Sequence, residues 1–551
     1  MGKLMTNNQT IPDLLSRLKT LNKIGIALSA EKDGTHLLEM ILTEAKNIAY
    51  ADGGTLYTRT PDNQLKFEIM LTNTLNIHCG GTSGIPIMLP SLSLYNDHGA
   101  PNLDKVAVCA AITGKTINIS DAYTDTNFEF SGTREFDKKT GYHSKSFLTV
   151  PMKDYNNEII GVLQLINAYD PLTQTIIAFG PAEQELVESL ASQAAMALTN
   201  QRLLEEQRRL FEALIELIAK AIDDKSPYTG GHCRRVPELT MMLAEAVSNT
   251  NLSQLQNFKL NDEERYALRV AGWLHDCGKI VTPEHIIDKS TKLENIFDRI
   301  HLINTRFEVL KRDAEIAQLK QQLAALEQGY TIDKAKLSAE FTQQVESLHT
   351  ERDFLHLCNL GTEFMSEEKK EQVQQIARRR WVGPGGHETN FLTANEVSSL
   401  TISRGTLTVE ERDIINYHIV ATIQMLETLP YPSHLKKVPE YAGRHHERMD
   451  GKGYPLGLTR EQMSIPARIM GIADIFEALT AKDRPYKKPM PLSEALTILG
   501  RMKLEQHIDP DLFDVFIHEK VYLRYAEKFL DAEQIDAVDV TQIPGYQVLN
   551  R

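Results

Sequence analysis

Two neighbouring histidines, His445 and His446, head the stretch RHHERMDGKGYP, residues 444–455. Side by side at a helix end, where consecutive side chains diverge by about 100°, two neutral imidazoles can both bind a metal ion. Donors of the same kind occur elsewhere. His275 and Asp276 close the apolar run RVAGWLHDCGK just before Gly278, where the carboxylate can bridge two metals while the imidazole holds one. His232 follows Gly230-Gly231 at the start of a helical stretch, and Asp474 lies in the mostly apolar IPARIMGIADIFEALT, where an acid is costly unless paired or metal-bound. Together these side chains indicate a metal centre far more specifically than a histidine pair does. Tyr454-Pro455 is not a ligand pair: Gly451 and Gly453 permit a tight loop that Pro455 restricts, holding Tyr454 at a cavity mouth or offering it to a partner.

The elements that must carry these donors read as helices from residue 223 onward, with short breaks. At 551 residues the chain has material for two to four domains. A net charge of -14 argues against binding a nucleic-acid polymer. The five cysteines are scattered without a CxxC, which favours a reducing cytoplasm over a disulfide framework. No apolar run approaches the roughly 20 residues that span a bilayer. Ahead of the helices, residues 15–50 carry helical periodicity, TLYTRT and KFEIML are strand-like, and SFLTVPMKD-YNNE-IIGVLQLINA reads as a hairpin, giving one α+β domain. Residues 182–222 hold neither Gly nor Pro and read as one helix of about 60 Å, expected to pair with its copy in a parallel dimer.

The stretch FDKKTGYHSKSFLTVPMKDYNNEIIGVLQLINA resembles a GAF domain, a small-ligand sensor module. Positions matching the signature of cyclic-nucleotide-binding GAF domains read Asn167, Ala168, Phe179, Glu183 and Gln184, and three of these five depart from it. HHERMDGKGYP, LHDCGK and IADIFEALTAKDRPY together resemble an HD-GYP domain of the HD phosphohydrolase superfamily, all-helical and metal-dependent. The resemblance implies His232, His275, Asp276, His418, His445, His446 and Asp474 as ligands of two metals: His232, His275 and Asp474 at one, His418, His445 and His446 at the other, Asp276 bridging. His418 enters because LTVEERDIINYH reproduces the family spacing from Leu407, whereas the rival His301 lacks the Leu-Thr start. Trinuclear members have an extra acid where this chain has Tyr228, so two metals are expected. Lys279, Arg484 and Lys487 match phosphate-contacting positions, and Tyr454 belongs to a loop linked to substrate handling and to cyclase contacts.

These readings divide the chain into a GAF-like sensor (15–181), a dimerisation helix (182–222), an HD-GYP domain in two parts (223–294 and 401–515), an inserted helical hairpin (295–400) and a C-terminal extension (516–551). In the hairpin, Ile316, Leu319, Leu323 and Leu326 form one seam and Leu337, Phe341, Val345 and Leu348 the other, in arms of about 40 Å. The hairpin is a lid, a dimer contact or a partner platform. The implied activity is hydrolysis of the bacterial messenger cyclic di-GMP, with linear pGpG or GMP as the end product left open, and with Asp276 and Lys279 in catalytic roles. The implied partners are a homodimer mate, a diguanylate cyclase domain and an unknown GAF ligand. Histidine and carboxylate ligands without thiolate suit iron or manganese, with zinc or cobalt as alternatives. Two divalent cations against two carboxylates leave the centre positive enough to hold a phosphodiester, and bound metal can bring the pKa of water from 15.7 to about 7. The rival readings are a receptor that binds the nucleotide or a cyclase without turnover, and a phosphodiesterase for another cyclic dinucleotide.

Overall fold

Alternating apolar residues between Ala51 and Ile177 build one antiparallel sheet in the computed structural model, which describes residues 10–225, 231–252, 255–361, 364–482 and 489–547. Its strands are β1 (Ala51–Arg59), β2 (Gln64–Thr72), β3 (Ile77–Gly80), β4 (Leu92–Ser93), β5 (Ile117–Ile119), β6 (Phe147–Lys153), β7 (Ile159–Tyr169) and β8 (Ile176–Ile177). The order is β3-β2-β1-β7-β6-β5, with β4 on β2 and β8 on β7. Leu56 pairs with Leu163, and Leu148 with Leu165, so the period of two sends these leucines to one face. There they share a core with α1 (Thr10–Ala30), α2 (Gly34–Ile48) and the first part of α5 (Pro181–Asp223). Tyr57 and Val162 point to the opposite face and pack on α3 (Val106–Thr113), while Phe147 meets Phe130 beside α4 (Ser131–Thr140). The hairpin read from SFLTVPMKD and IIGVLQLINA is the β6-β7 pair, with a bulge at Met152/Lys153.

The chain divides into two units between residues 211 and 212, inside α5. The second unit is helical: α6 (His232–Asn249), α7 (Asp262–Leu274), α8 (Glu284–Ile287), α9 (Ile300–Gln328), α10 (Lys334–Asn359), α11 (Glu367–Ala377), α12 (Ala394–Leu400), α13 (Val409–Glu427), α14 (Val438–Gly443), α15 (Ile465–Thr480), α16 (Leu492–Leu504), α17 (Pro510–His518) and α18 (Val521–Phe529). A ribbon of β9 (Arg380–Val382) and β10 (Glu388–Asn390) follows α11. No helix among the described residues is long and apolar enough to cross a membrane.

The arms α9 and α10 pack together as a hairpin, but the two seams read from the sequence do not meet. Ile316, Leu319, Leu323 and Leu326 face solvent, whereas Ala314 and Ala325 are buried and Gln318 bonds the Leu337 carbonyl across the pair (3.3 Å). Small residues let the helices approach closely, and hydropathy alone overlooks them. The base of the hairpin joins α11 and α12 in a core of Leu293, Phe307, Leu348, Leu355, Val373 and Phe391. Buried Lys292 pins that base, donating to the carbonyls of Leu400 (3.1 Å) and Ile402 (2.8 Å).

Candidate metal centre

Three helix ends and two helix interiors bring the donors together. His232 is the first residue of α6, after Gly231 at φ +85°, and Asp223 at the end of α5 accepts from the N–H groups of Gly231 (3.0 Å) and Cys233 (3.1 Å). His275 ends α7, and Asp276 leads into the 3-10 turn Cys277–Val281. Gly278 in that turn is obligatory, because a Cβ there would lie 2.0 Å from the His418 carbonyl oxygen. That close approach sets Asp276 against His418, which sits inside α13. His445 and His446 follow α14, and Asp474 projects from the middle of α15.

The carboxylate of Asp276 faces two ways. Its Oδ2 lies 3.2 Å from Nε2 of both His232 and His275, and its Oδ1 lies 3.3 Å from Nε2 of His418. Asp474 Oδ1 stands 3.3 Å from His232 and 3.7 Å from His275. The donor atoms of His418, His445 and His446 lie within 4.8 Å of one another, as do those of His232, His275 and Asp276. The structure therefore gathers all seven residues, in two clusters with Asp276 between them.

Outer hydrogen bonds aim the imidazoles inward. Nδ1 of His275 donates to the Gly272 carbonyl (2.7 Å), that of His445 to Ala442 (2.6 Å), and that of His418 to Ile415, which leaves each Nε2 lone pair for the cavity. Among the described residues, Nε2 of His418 and of His445 is buried with no hydrogen-bond partner. Burial, then the neighbouring His446, holds His445 well below the ordinary imidazole range, and burial pushes His446 down to about 4. His445 and His446 are therefore neutral. The other cluster is crowded with carboxylates: burial opposes protonation of His275, yet Asp276 and Asp474 raise it to about 9. Burial likewise opposes ionisation of Asp276 and Asp474, but Lys279 and His275 on the first and His232 and His275 on the second hold both well below the usual range. Buried acids and orphaned imidazole nitrogens converging on one spot demand positive charge there, which suits divalent cations.

Two charged residues escaped the sequence reading. Glu477, buried in α15, accepts from His232 Nδ1 (2.5 Å) and Arg235 Nε (2.7 Å), so His232 alone among these histidines has a carboxylate behind it. Glu447, also buried, accepts from the N–H groups of Leu456 (2.7 Å) and Leu458 (2.9 Å) and ties down the loop beyond the histidine pair. In that loop Tyr454, joined to Pro455 by a cis peptide bond, stacks on His446 with centroids 4.8 Å apart. A cavity of about 430 Å³ opens there, lined by His446, Tyr454, Asp474, Arg448, Lys452 and an apolar wall including Ile475 and Leu479. Lys279 donates to Asp276 Oδ2 (2.6 Å). Arg484, Lys487 and Tyr228 lie outside the described residues.

Comparison with known proteins gives this geometry a context. The GAF domain family matches residues 33–198, and two HD domain families match residues 229–378 and 393–512. The chain combines GAF and HD domains. An HD domain implies divalent metal binding, and the clustered donors fit that chemistry. The chain is similar to a 3'3'-cGAMP-specific phosphodiesterase of Vibrio cholerae, 45% identical over 80 residues, which are 14% of this chain and 18% of that protein. It is also similar to cyclic di-GMP phosphodiesterases of Thermotoga maritima (26% identical over 250 residues, 42% of this chain and 64% of that one) and Pseudomonas aeruginosa (37% over 113 residues, 20% and 26%). The chain thus spans less than two thirds of the length of these relatives. In the GAF domain, Asn167 and Phe179, two of the five positions compared with the cyclic-nucleotide signature, are engaged in the fold itself. Asn167, at φ +58°, accepts from Lys145 N (2.7 Å) and donates to the His143 carbonyl (2.8 Å), and Phe179 is core.

Proposed function

We propose that this protein is a metal-dependent phosphodiesterase that linearises cyclic di-GMP to pGpG and carries it on to GMP, under control of its GAF domain. The observation that carries the reading is the two-faced Asp276, set between a carboxylate-rich cluster and a trio of histidines. His232, His275 and Asp474 would hold one ion, His418, His445 and His446 a second, with Asp276 shared. Iron or manganese suits this donor set best, with zinc or cobalt as alternatives. Bound metal would lower the pKa of water and supply positive charge beside phosphorus.

The chain's own residues do the rest. The Lys279 ammonium, beside Asp276, adds a cation where a phosphoryl oxygen would approach, and Arg448 and Lys452 line the cavity for a second phosphate. Arg484 and Lys487 belong to the same proposal as phosphate contacts. Tyr454, stacked on His446 and backed by the Glu447 anchor, walls the cavity mouth, and Ile475 and Leu479 offer a base an apolar surface. Dimerisation through α5, a small ligand on the GAF domain and docking of a cyclase domain complete the proposal as routes of regulation.

A related substrate is favoured by one observation: the Vibrio cholerae relative described above is named as specific for 3'3'-cGAMP. Incubating metal-loaded protein with cyclic di-GMP and 3'3'-cGAMP in parallel, and separating products by HPLC, tests both. The expected result is linear product from cyclic di-GMP and none from His275→Ala. Faster turnover of 3'3'-cGAMP would transfer the assignment to that substrate. Tight binding with both dinucleotides intact would reduce the protein to a receptor.

A further inference from the structure

The face of α9 turned away from α10 repeats apolar side chains at heptad spacing: Val309, Ile316, Leu319, Leu323 and Leu326. The last four are 47% to 78% exposed. Phe307, Ala314 and Ala325, which are buried, lie on the opposite side of the helix. A spacing of 3.5 residues on the free side is the pattern that keeps a seam aligned with a second helix carrying the same repeat. We propose that α9 pairs antiparallel with α9 of a second copy of this chain, so that two inserted hairpins close a four-helix bundle. This pairing is independent of the hydrolytic reading.

Charge complementarity selects the occupant and its direction. When Ile316 packs on the partner's Leu319 and Val309 on the partner's Leu326, Asp313 lies beside the partner's Lys320. Two-fold symmetry repeats that opposite-charge pair, which is what a self-complementary interface requires. A parallel pair would bring Glu315 to the partner's Lys320 but also Glu308 to the partner's Asp313, so that a like-charge contact offsets the favourable one. In the antiparallel register Arg312 lays its aliphatic stem over the partner's Leu323 and keeps its head in water, and its guanidinium already leans toward Glu315 (3.3 Å). Half-exposed leucines along five turns, with flanking stems, amount to roughly 1,000 Å² of total burial, the lower bound for a specific interface.

Disulfide trapping in the full chain tests the pairing and its direction. Val309→Cys with Leu326→Cys on one chain should yield a covalent dimer on mild oxidation, beyond any formed by the unsubstituted chain, because each new thiol faces the other kind across the two-fold axis. Either single cysteine should yield none. Adding Leu323→Glu, an exposed position whose replacement should leave the circular dichroism unchanged, should abolish the cross-link. A dimer from the single cysteines would overturn the antiparallel arrangement, and absence of any new dimer from the pair would overturn self-pairing through α9.

Discussion

At the scale of single residues the seven histidine and carboxylate positions are less telling than what stands behind them. Three histidines lean on backbone carbonyls, but His232 leans on Glu477, an ionised partner that strengthens its Nε2 as a donor. Replacing Glu477 by Gln keeps an acceptor and removes the charge. It should weaken metal binding at the His232 cluster by about 10 to 100-fold, measured by competition with a chelator, while the fold persists. Glu477 was within reach of sequence reasoning: it lies three positions after Asp474 on the same apolar helix, where the cost of a buried acid applies equally. Away from the centre, buried Asp509 bonds Arg460 (2.9 Å) and Arg468 and caps α17 through Leu512 N (3.1 Å). Burial alone would raise its pKa, but the two guanidinium groups hold it below the ordinary carboxylate value. A depressed acid stabilises the fold above its unfolded pKa of about 3.9, and that stability is lost as pH falls through the folded value. Asp509→Asn should therefore cost about 3–5 kcal/mol at pH 7 and lose less than the unsubstituted chain on acidification, as read by urea unfolding at pH 7 and pH 3.

At the scale of elements, the end of α5 is fastened to two parts of the centre at once. Asp223 holds the start of α6, which carries His232, and the Lys225 ammonium donates to three carbonyls in the turn after Asp276: Lys279 (2.9 Å), Ile280 (2.5 Å) and Thr282 (2.6 Å). Lys225→Met keeps the stem and removes these charge-assisted bonds. It should cost about 2–3 kcal/mol and speed amide exchange selectively across Cys277–Thr282, read by hydrogen exchange with mass spectrometry. Helix periodicity announced α5, α9 and α10 in the sequence, since Gly and Pro mark their ends and their apolar repeats run for many turns. It did not say which face of α9 meets α10, because an amphipathic stripe does not name its partner and the contact rests on alanines. The β6-β7 hairpin was legible for the opposite reason: strict alternation around the turn YNNE leaves one register that buries both leucine rows. The turn contacts of Lys225 were not legible, since nothing in a lone lysine after a helix specifies three carbonyls more than fifty residues away.

At the scale of the whole molecule, every proposed ligand lies beyond residue 211, so metal and sensor occupy separate units of one chain. A ligand that binds only the folded form stabilises the unit that holds it, by about 4 kcal/mol when present at a thousand times its dissociation constant. The carboxylate-rich cluster adds a second reason: without cations, Asp276 and Asp474 rely on protonated His232 and His275, and that arrangement weakens as pH rises through the raised folded value of about 9 for His275. Raised histidine values contribute stability that is complete below the unfolded value of about 6.5 and fades above it. Chelation should therefore lower one calorimetric transition by several degrees, more at pH 9 than at pH 6.5, and leave a second transition, that of the sheet-containing unit, unmoved. Refilling with manganese or iron should restore the first transition and flatten its pH dependence. A chelator that shifted both transitions equally would show that the two units unfold as one, and it would remove the basis for treating the sensor as a separately stable controller of the metal centre.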